Sequence, residues 1–239
     1  MKAIVMLCIL ALPLAAQPKK KTESFWSKVL RVAGISANPT ALRGPDTAAA
    51  GDVWVATPGP LTAPQRLTRD GGYYSPVFDS GGQSILVLKS GNLFRVPLTG
   101  DVPTKLRSLP GLTKLVGLSR DDEDQLLALA RDSQNTVRAV LLSIRTGAVT
   151  PLPHDPGSRE DGLLLVHLAG WERVYGDVRL YCEEEEKDAP GGVSIRFTDV
   201  YLKRGSNAPV NLSNGNGMSS CQPSLSPDGK RVAFIRGDR

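Results

Sequence analysis

Few side chains in this 239-residue sequence could move protons or attack an electrophile, and those few are scattered. His154 and His167 are the only histidines; the first lies in a Pro-rich loop, and the second alternates with Val166 and Leu168 as a strand residue does. Neither has a second ligand or an acid/base partner at a recognisable spacing. The nucleophile-elbow pattern Gly-x-Ser-x-Gly is absent, so a serine hydrolase of that type is not expected. The densest acidic run, Glu183, Glu184, Glu185, Glu186, Lys187, Asp188, offers carboxylates that suit calcium. It lacks the glycine-turn spacing of a calcium loop, and adjacent carboxylates repel, so it reads as a solvated loop at the tip of a hairpin through Gly191 and Gly192. Asp121, Asp122 and Asp124 are read the same way. No catalytic residue, metal ligand or cofactor motif is expected.

Three further stretches carry a weaker signal. Arg236-Gly237-Asp238 spells an adhesion tripeptide but sits where a strand should turn. Asn211-Leu212-Ser213 is a formal glycosylation sequon that coincides with a repeated strand ending. Cys182 and Cys221 are either a disulfide, if their Cα atoms come within about 7 Å, or two buried thiols. No Cys/His spacing fits zinc. The formal charge of +5 includes Lys19, Lys20 and Lys21, which leaves no basic stripe for a phosphate backbone; nucleic acid is not expected.

The N-terminus resembles an export signal: Lys2, then an apolar run from Ala3 to Leu14, with cleavage expected after Ala16. The run is shorter than the roughly 20 apolar residues that span a bilayer. Cys8 within it lacks a lipidation context. Residues 17–50 read as a charged tether and a short amphipathic helix over Glu23 to Ile35, either packed on the domain behind it or touching a membrane surface.

From Gly51 onward the sequence changes to short alternating strands punctuated by Gly, Pro, Asp and Asn. Four strand endings recur at Leu67, Leu106, Leu152 and Leu212, separated by 39, 46 and 60 residues. Each is followed by a polar loop and apolar strands, at Ser75 to Phe78, Leu115 to Ser119, Leu163 to Leu168 and Gln222 to Leu225. Such periods suit four-stranded propeller blades of roughly 40–50 residues. The long third interval is assigned to an insertion over Glu183 to Ile195. The last unit has only two strands, and Asp52 to Ala56 with Gln65 to Thr68 are two strands without a beginning. The two halves therefore make one shared blade, with Arg231 to Ile235 paired to Asp52 to Ala56. The expected fold is all-β: a propeller of about four four-stranded blades over residues 51–239.

The segments Ser75-Pro76-Val77-Phe78-Asp79-Ser80-Gly81-Gly82 and Gln222-Pro223-Ser224-Leu225-Ser226-Pro227-Asp228-Gly229-Lys230 resemble the WD40-like (PD40) repeats of TolB-type periplasmic β-propellers. The two middle repeats keep the strand rhythm but not the Pro-Asp-Gly turn. Four blades, against six or more in that family, is the main departure. The resemblance implies a periplasmic or secreted, non-catalytic module of the cell envelope that binds a protein or peptide or serves as a scaffold. Loop aromatics Tyr73, Tyr74, Trp171 and Tyr175, with Glu183 to Glu186, form the expected binding surface. Peripheral membrane association would run through the N-terminal segment, and a closed four-blade domain should be a monomer. Two alternatives stay open: a small hydrolase or lyase at the propeller mouth, and a partial ring that assembles with other chains.

Overall fold

The computed structural model describes residues 50–59, 62–119, 122–131, 133, 137–152, 172–215 and 217–237. The export segment and helix, the strand at 163–168, His154, His167, Trp171, Asp121 and Asp238 lie outside them.

Sixteen strands form four antiparallel four-stranded sheets. The first blade is β3 (Tyr74–Phe78), β4 (Ser84–Lys89), β5 (Asn92–Pro97) and β6 (Thr104–Ser108). The second is β7 (Leu112–Leu118), β8 (Gln125–Arg131), β9 (Val137–Ser143) and β10 (Val149–Pro151). The third is β11 (Glu172–Tyr175), β12 (Val178–Ala189), β13 (Val193–Arg204) and β14 (Val210–Asn211). The fourth joins the two ends of the domain: β15 (Ser220–Leu225) and β16 (Val232–Arg236) from one, β1 (Asp52–Ala56) and β2 (Gln65–Arg66) from the other.

That shared blade has the expected partners. Register runs from Asp52 opposite Arg236 to Ala56 opposite Val232 without a slip. The molecule is thus an all-β propeller-type assembly of four blades, one of them built from both ends of the domain.

Why the strands read as continuous apolar runs is explained by the layers. Successive side chains of a strand point to opposite faces, and here both faces of an inner strand meet another blade. In β4, Ile85 and Val87 face the shared blade, where they pack with Val53, Val55, Ala233 and Ile235. Leu86 and Leu88 face the second blade and pack with Leu115, Leu126, Ala128 and Leu142. The opposite face of the shared blade, with Ala56, Val232 and Phe234, packs on Val178, Leu180, Val200 and Leu202 of the third. The order in space is second, first, shared, third. A smaller cluster of Val116, Leu127 and Leu129 belongs to the second blade alone. Among the described residues no apolar cluster joins the second blade to the third.

The repeated turns are asparagine-like corners made by Asp. Asp228 Oδ1 accepts from Ser226 Oγ (2.6 Å) and Lys230 N (3.1 Å), while Gly229 takes φ +70 and donates to Ser226 O. Asp79 plays this part in the first blade, accepting from Gln83 N and Ser84 N. In the second, Asp122 O accepts from Gln125 N, so the hairpin survives without a Pro-Asp-Gly sequence.

In the third blade the strand beside β12 is Glu172–Tyr175, turned through Gly176 at φ +62; the strand expected at 163–168 falls outside the described residues. The stretch from Glu183 to Ile195 forms the expected hairpin through Gly191 and Gly192, and one reading of it is corrected: the acidic run is paired strand, not solvated loop. It lengthens β12 and β13, which pair continuously from Val178 opposite Arg204 to Ala189 opposite Val193.

Candidate functional site

Two of the four blades end in the same buried clasp. Asp52 begins β1, and its Oδ1 accepts from Thr68 Oγ1 (2.9 Å) and Gly71 N (3.0 Å), while Arg66 pairs with Oδ2. Thr68 Oγ1 in turn accepts from Val53 N at 2.9 Å. In the third blade Asp199 Oδ1 accepts from Ser213 Oγ (2.6 Å) and Gly215 N (2.8 Å), and Oδ2 from Asn211 Nδ2 (2.8 Å). Ser213 Oγ accepts from Val200 N at 2.9 Å. The Leu-Thr and Leu-Ser strand endings in the sequence are therefore half of a motif whose other half is an Asp on the neighbouring strand. An Asp and a hydroxyl at 2.6 Å could belong to a catalytic set, but here the carboxylate is filled by structural donors and both groups are buried. The sequon Asn211 is tied into the same clasp.

Arg236 lies between the two clasps. It is 6 % exposed, its Nε donates to Ser220 Oγ (3.0 Å), another guanidinium nitrogen donates to Ser213 O, and its Cζ sits 4.4 Å from the centroid of the Trp54 ring. Burial lowers its pKa and the nearby Asp199 charge opposes that shift. Buried at the end of β16, it fastens the shared blade to the third, so it is not presented as part of an adhesion tripeptide.

A disulfide joins the same two blades: Cys182 of β12 to Cys221 of β15, with Cα atoms 5.7 Å apart.

The aromatic candidates fall in different places. Tyr73 is 2 % exposed, not in an open mouth loop. Gly71 and Gly72, at φ +58 and +77, bend the chain so that Tyr73 bridges Gly51 and its ring meets the edge of Phe94 at 6.0 Å. Its hydroxyl donates to Asp70 Oδ2 at 3.2 Å, with Lys89 Nζ 4.4 Å from the ring centroid and 2.6 Å from the same carboxylate oxygen. Burial, then Asp70, pushes the Tyr73 hydroxyl up to about 12. Burial opposes the Asp70 carboxylate, yet the bonds from Lys89 and Tyr73 outweigh it and hold that group below its ordinary range. Tyr74 opens β3 and packs half-buried between the first and second blades; Tyr175 packs half-buried against the interface of the shared and third blades. Both are interface packing rather than a joint exposed patch.

Glu183 to Glu186 lie along β12, with Glu183, Glu184 and Glu186 exposed and Glu185 half-buried, accepting from the Tyr201 hydroxyl. Burial, then Glu185, raises the pKa of Tyr201. Tyr201 stacks on Tyr181 across the hairpin at 5.6 Å. β11 accompanies β12 only as far as Tyr181, and β14 accompanies β13 only at Tyr201 and Leu202. From Glu184 opposite Thr198 to Ala189 opposite Val193, six residue pairs have no third strand beside them among the described residues. At about 3.4 Å per residue, the ribbon projects ~20 Å past its blade.

Among the described residues no group of His, Cys, Asp and Glu is arranged to hold a metal ion, and no helix is long and apolar enough to cross a membrane.

No protein-family model matches this chain, and no curated protein does. Solved structures do overlap it. A TolB from Agrobacterium tumefaciens aligns at 17 % identity and TM-score 0.39, over 76 % of this chain and 60 % of its own. TolB from Acinetobacter baumannii aligns at 17 % identity and TM-score 0.35, over 76 % and 46 %. The β-propeller domain of the Trilobed protease from Pyrococcus furiosus, described as having an open velcro topology, aligns at 10 % identity and TM-score 0.28, over 78 % and 75 %. The chain thus spans about 60 % or less of the length of the two TolB structures. The fold is a β-propeller. Its own strand order establishes that, independently of these partial overlaps.

Proposed function

We propose that this protein is a non-catalytic binding module of the cell envelope that engages a protein partner along the β12–β13 ribbon. The observation that carries this reading is the ribbon itself. Among the described residues, the six pairs from Glu184 opposite Thr198 to Ala189 opposite Val193 have no third strand beside them. Exposed edges of this kind are normally paired, covered or heavily charged. Here the charge is one-sided: Glu183, Glu184, Glu185, Glu186 and Asp188 against Lys187 and Arg196. Strand addition supplies affinity through main-chain hydrogen bonds, and the carboxylates select a partner segment that carries Lys or Arg. An extended basic segment is therefore the expected partner. The disulfide between Cys182 and Cys221 fits an oxidising compartment, which supports the envelope assignment.

The experiment is site-specific photo-crosslinking in the native envelope. A photoreactive residue replaces Glu184 or Ser194 on the ribbon, or Val102, which is 84 % exposed in the β5–β6 loop. One discrete adduct from both ribbon sites, absent from the Val102 site and lost on Glu183→Lys with Glu186→Lys, is the expected result. Equal labelling from all three sites would sink the reading.

A further inference from the structure

A cleft of about 360 Å³ opens between the first and second blades, lined by Arg95, Leu106, Arg107, Asp124, Ile144 and Arg145. Three guanidinium groups from three elements share it with a single carboxylate. We propose that it is a binding site for a small polyanion that displays phosphate or carboxylate oxygens.

One of the three cations is held in place before any ligand arrives. Arg107 donates to Leu106 O at 2.9 Å and to Arg145 O, so its guanidinium bonds carbonyls of both blades and no carboxylate. Gly147 makes room for it: a Cβ there would stand 3.2 Å from Arg107 Cδ, and the position has φ +77, which also favours glycine. The Arg145 backbone is set by Asp124, whose Oδ1 accepts from Arg145 N at 3.0 Å; the guanidinium itself is 81 % exposed, its Nε 3.8 Å from that oxygen. Asp124 is itself fixed by Ser143 Oγ at 2.8 Å. That leaves Asp124 satisfied and still offset by three positive charges. Arg95 is paired in the β5 ladder through its backbone, and its guanidinium has no hydrogen-bond or ion-pair partner among the described residues.

Guanidinium forks match the spacing of carboxylate and phosphate oxygens, and pre-set forks lose less freedom on binding than free ones. The cleft volume lies at the small end of the range for ligand sites, and Leu106 and Ile144 give its floor an apolar surface. The match is to a compact ligand with two or more oxyanion groups and a short carbon body or none. The cleft is distant in sequence from the acidic ribbon and independent of the function proposed for it.

Calorimetry with inorganic pyrophosphate and, separately, with citrate tests the site and distinguishes phosphate from carboxylate. Saturable one-to-one binding of either, weakened at least 10-fold in Arg95→Ala with Arg107→Gln and unchanged in Lys230→Ala on another seam, supports the proposal. The double variant should melt as the parent does, which separates loss of binding from loss of fold. Absence of saturable binding, or binding indifferent to both arginines, overturns it. So does self-association at low salt that vanishes equally in Arg95→Ala and in a variant lacking residues 185–196, since the cleft would then receive the acidic ribbon of a second copy.

Discussion

The shared blade and the third blade are built on one plan and diverge at one point. Both carry the Asp-hydroxyl clasp, at Asp52 with Thr68 and at Asp199 with Ser213. They pack on each other through Val232, Phe234, Val200 and Leu202, and a disulfide ties them. Beyond the clasp the third blade continues as a ribbon, whereas the shared blade stops at Asp52 and Arg236. Past the clasp of the third blade Phe197 is the one buried side chain among the described residues, so the ribbon adds far less core than the strands before it.

Removing residues 230–239 takes away β16, and with it the central pairing of the shared blade and both of its apolar faces. Loss of cooperative unfolding, followed by circular dichroism on heating, is the expected result; a transition that persists near the parent temperature would show that the two ends of the domain are only locally paired. Next in size is the staple. Replacing Cys182 and Cys221 with Ser should cost roughly 4 kcal/mol by the chain-entropy argument for a loop of this length, read from urea denaturation under oxidising conditions. Asp199→Ala strands the Gly215 amide and the Asn211 side chain, and should cost about 3 kcal/mol; Asp52→Ala should cost a similar amount if the clasps are equivalent. A gap between those two variants would show that the plan is shared in form only.

A fourth measurement concerns the Tyr73 hydroxyl in the shared-to-first interface. Its folded-state pKa, about 12, exceeds that of an unfolded tyrosine. The folded state therefore retains its proton where the unfolded chain has lost it, and stability present at neutral pH is lost as pH rises from 10 towards 12. Tyr73→Phe should flatten that part of the stability profile. The smallest effect is expected at the ribbon's tip: joining Glu186 to Arg196 by a two-residue turn, which keeps Glu185 and Phe197, should shift stability by less than about 0.5 kcal/mol, as surface changes usually do. A larger loss would mean that the ribbon is a structural arm.

How much of this the sequence discloses depends on whether a residue's role is local. Val53, Val55, Ala233 and Ile235 alternate with Trp54, Ala56, Val232 and Phe234, and that period of two is enough to identify half-strands that need partners. Glu172 to Tyr175 carries no such pattern, because its charged residues hide a strand held by the hairpin with β12. Tyr73 stands beside two glycines and so resembles a loop residue; the same glycines turn it inward. The acidic run and the glycines at 191 and 192 signal a hairpin tip, but not that its strands stay paired as far as Ala189 and Val193. Arg95, Arg107 and Arg145 are unremarkable in the chain. Only the packing of one blade on the next brings them to a common cleft, while the clasps are legible in part through the repeated Leu-Thr and Leu-Ser endings.

The pairing of β1 with β16 also dictates an order of events during biogenesis. β1 is synthesised first among the described strands, yet its partner β16 comes last. Until then Val53 and Val55 have no blade to complete, and the open edge of β1 is available to any other chain. Contacts this distant in sequence form slowly, and exposed strand edges in the interim favour aggregation. Stalling synthesis just before Val232 should therefore trap the chain in its most adhesive state.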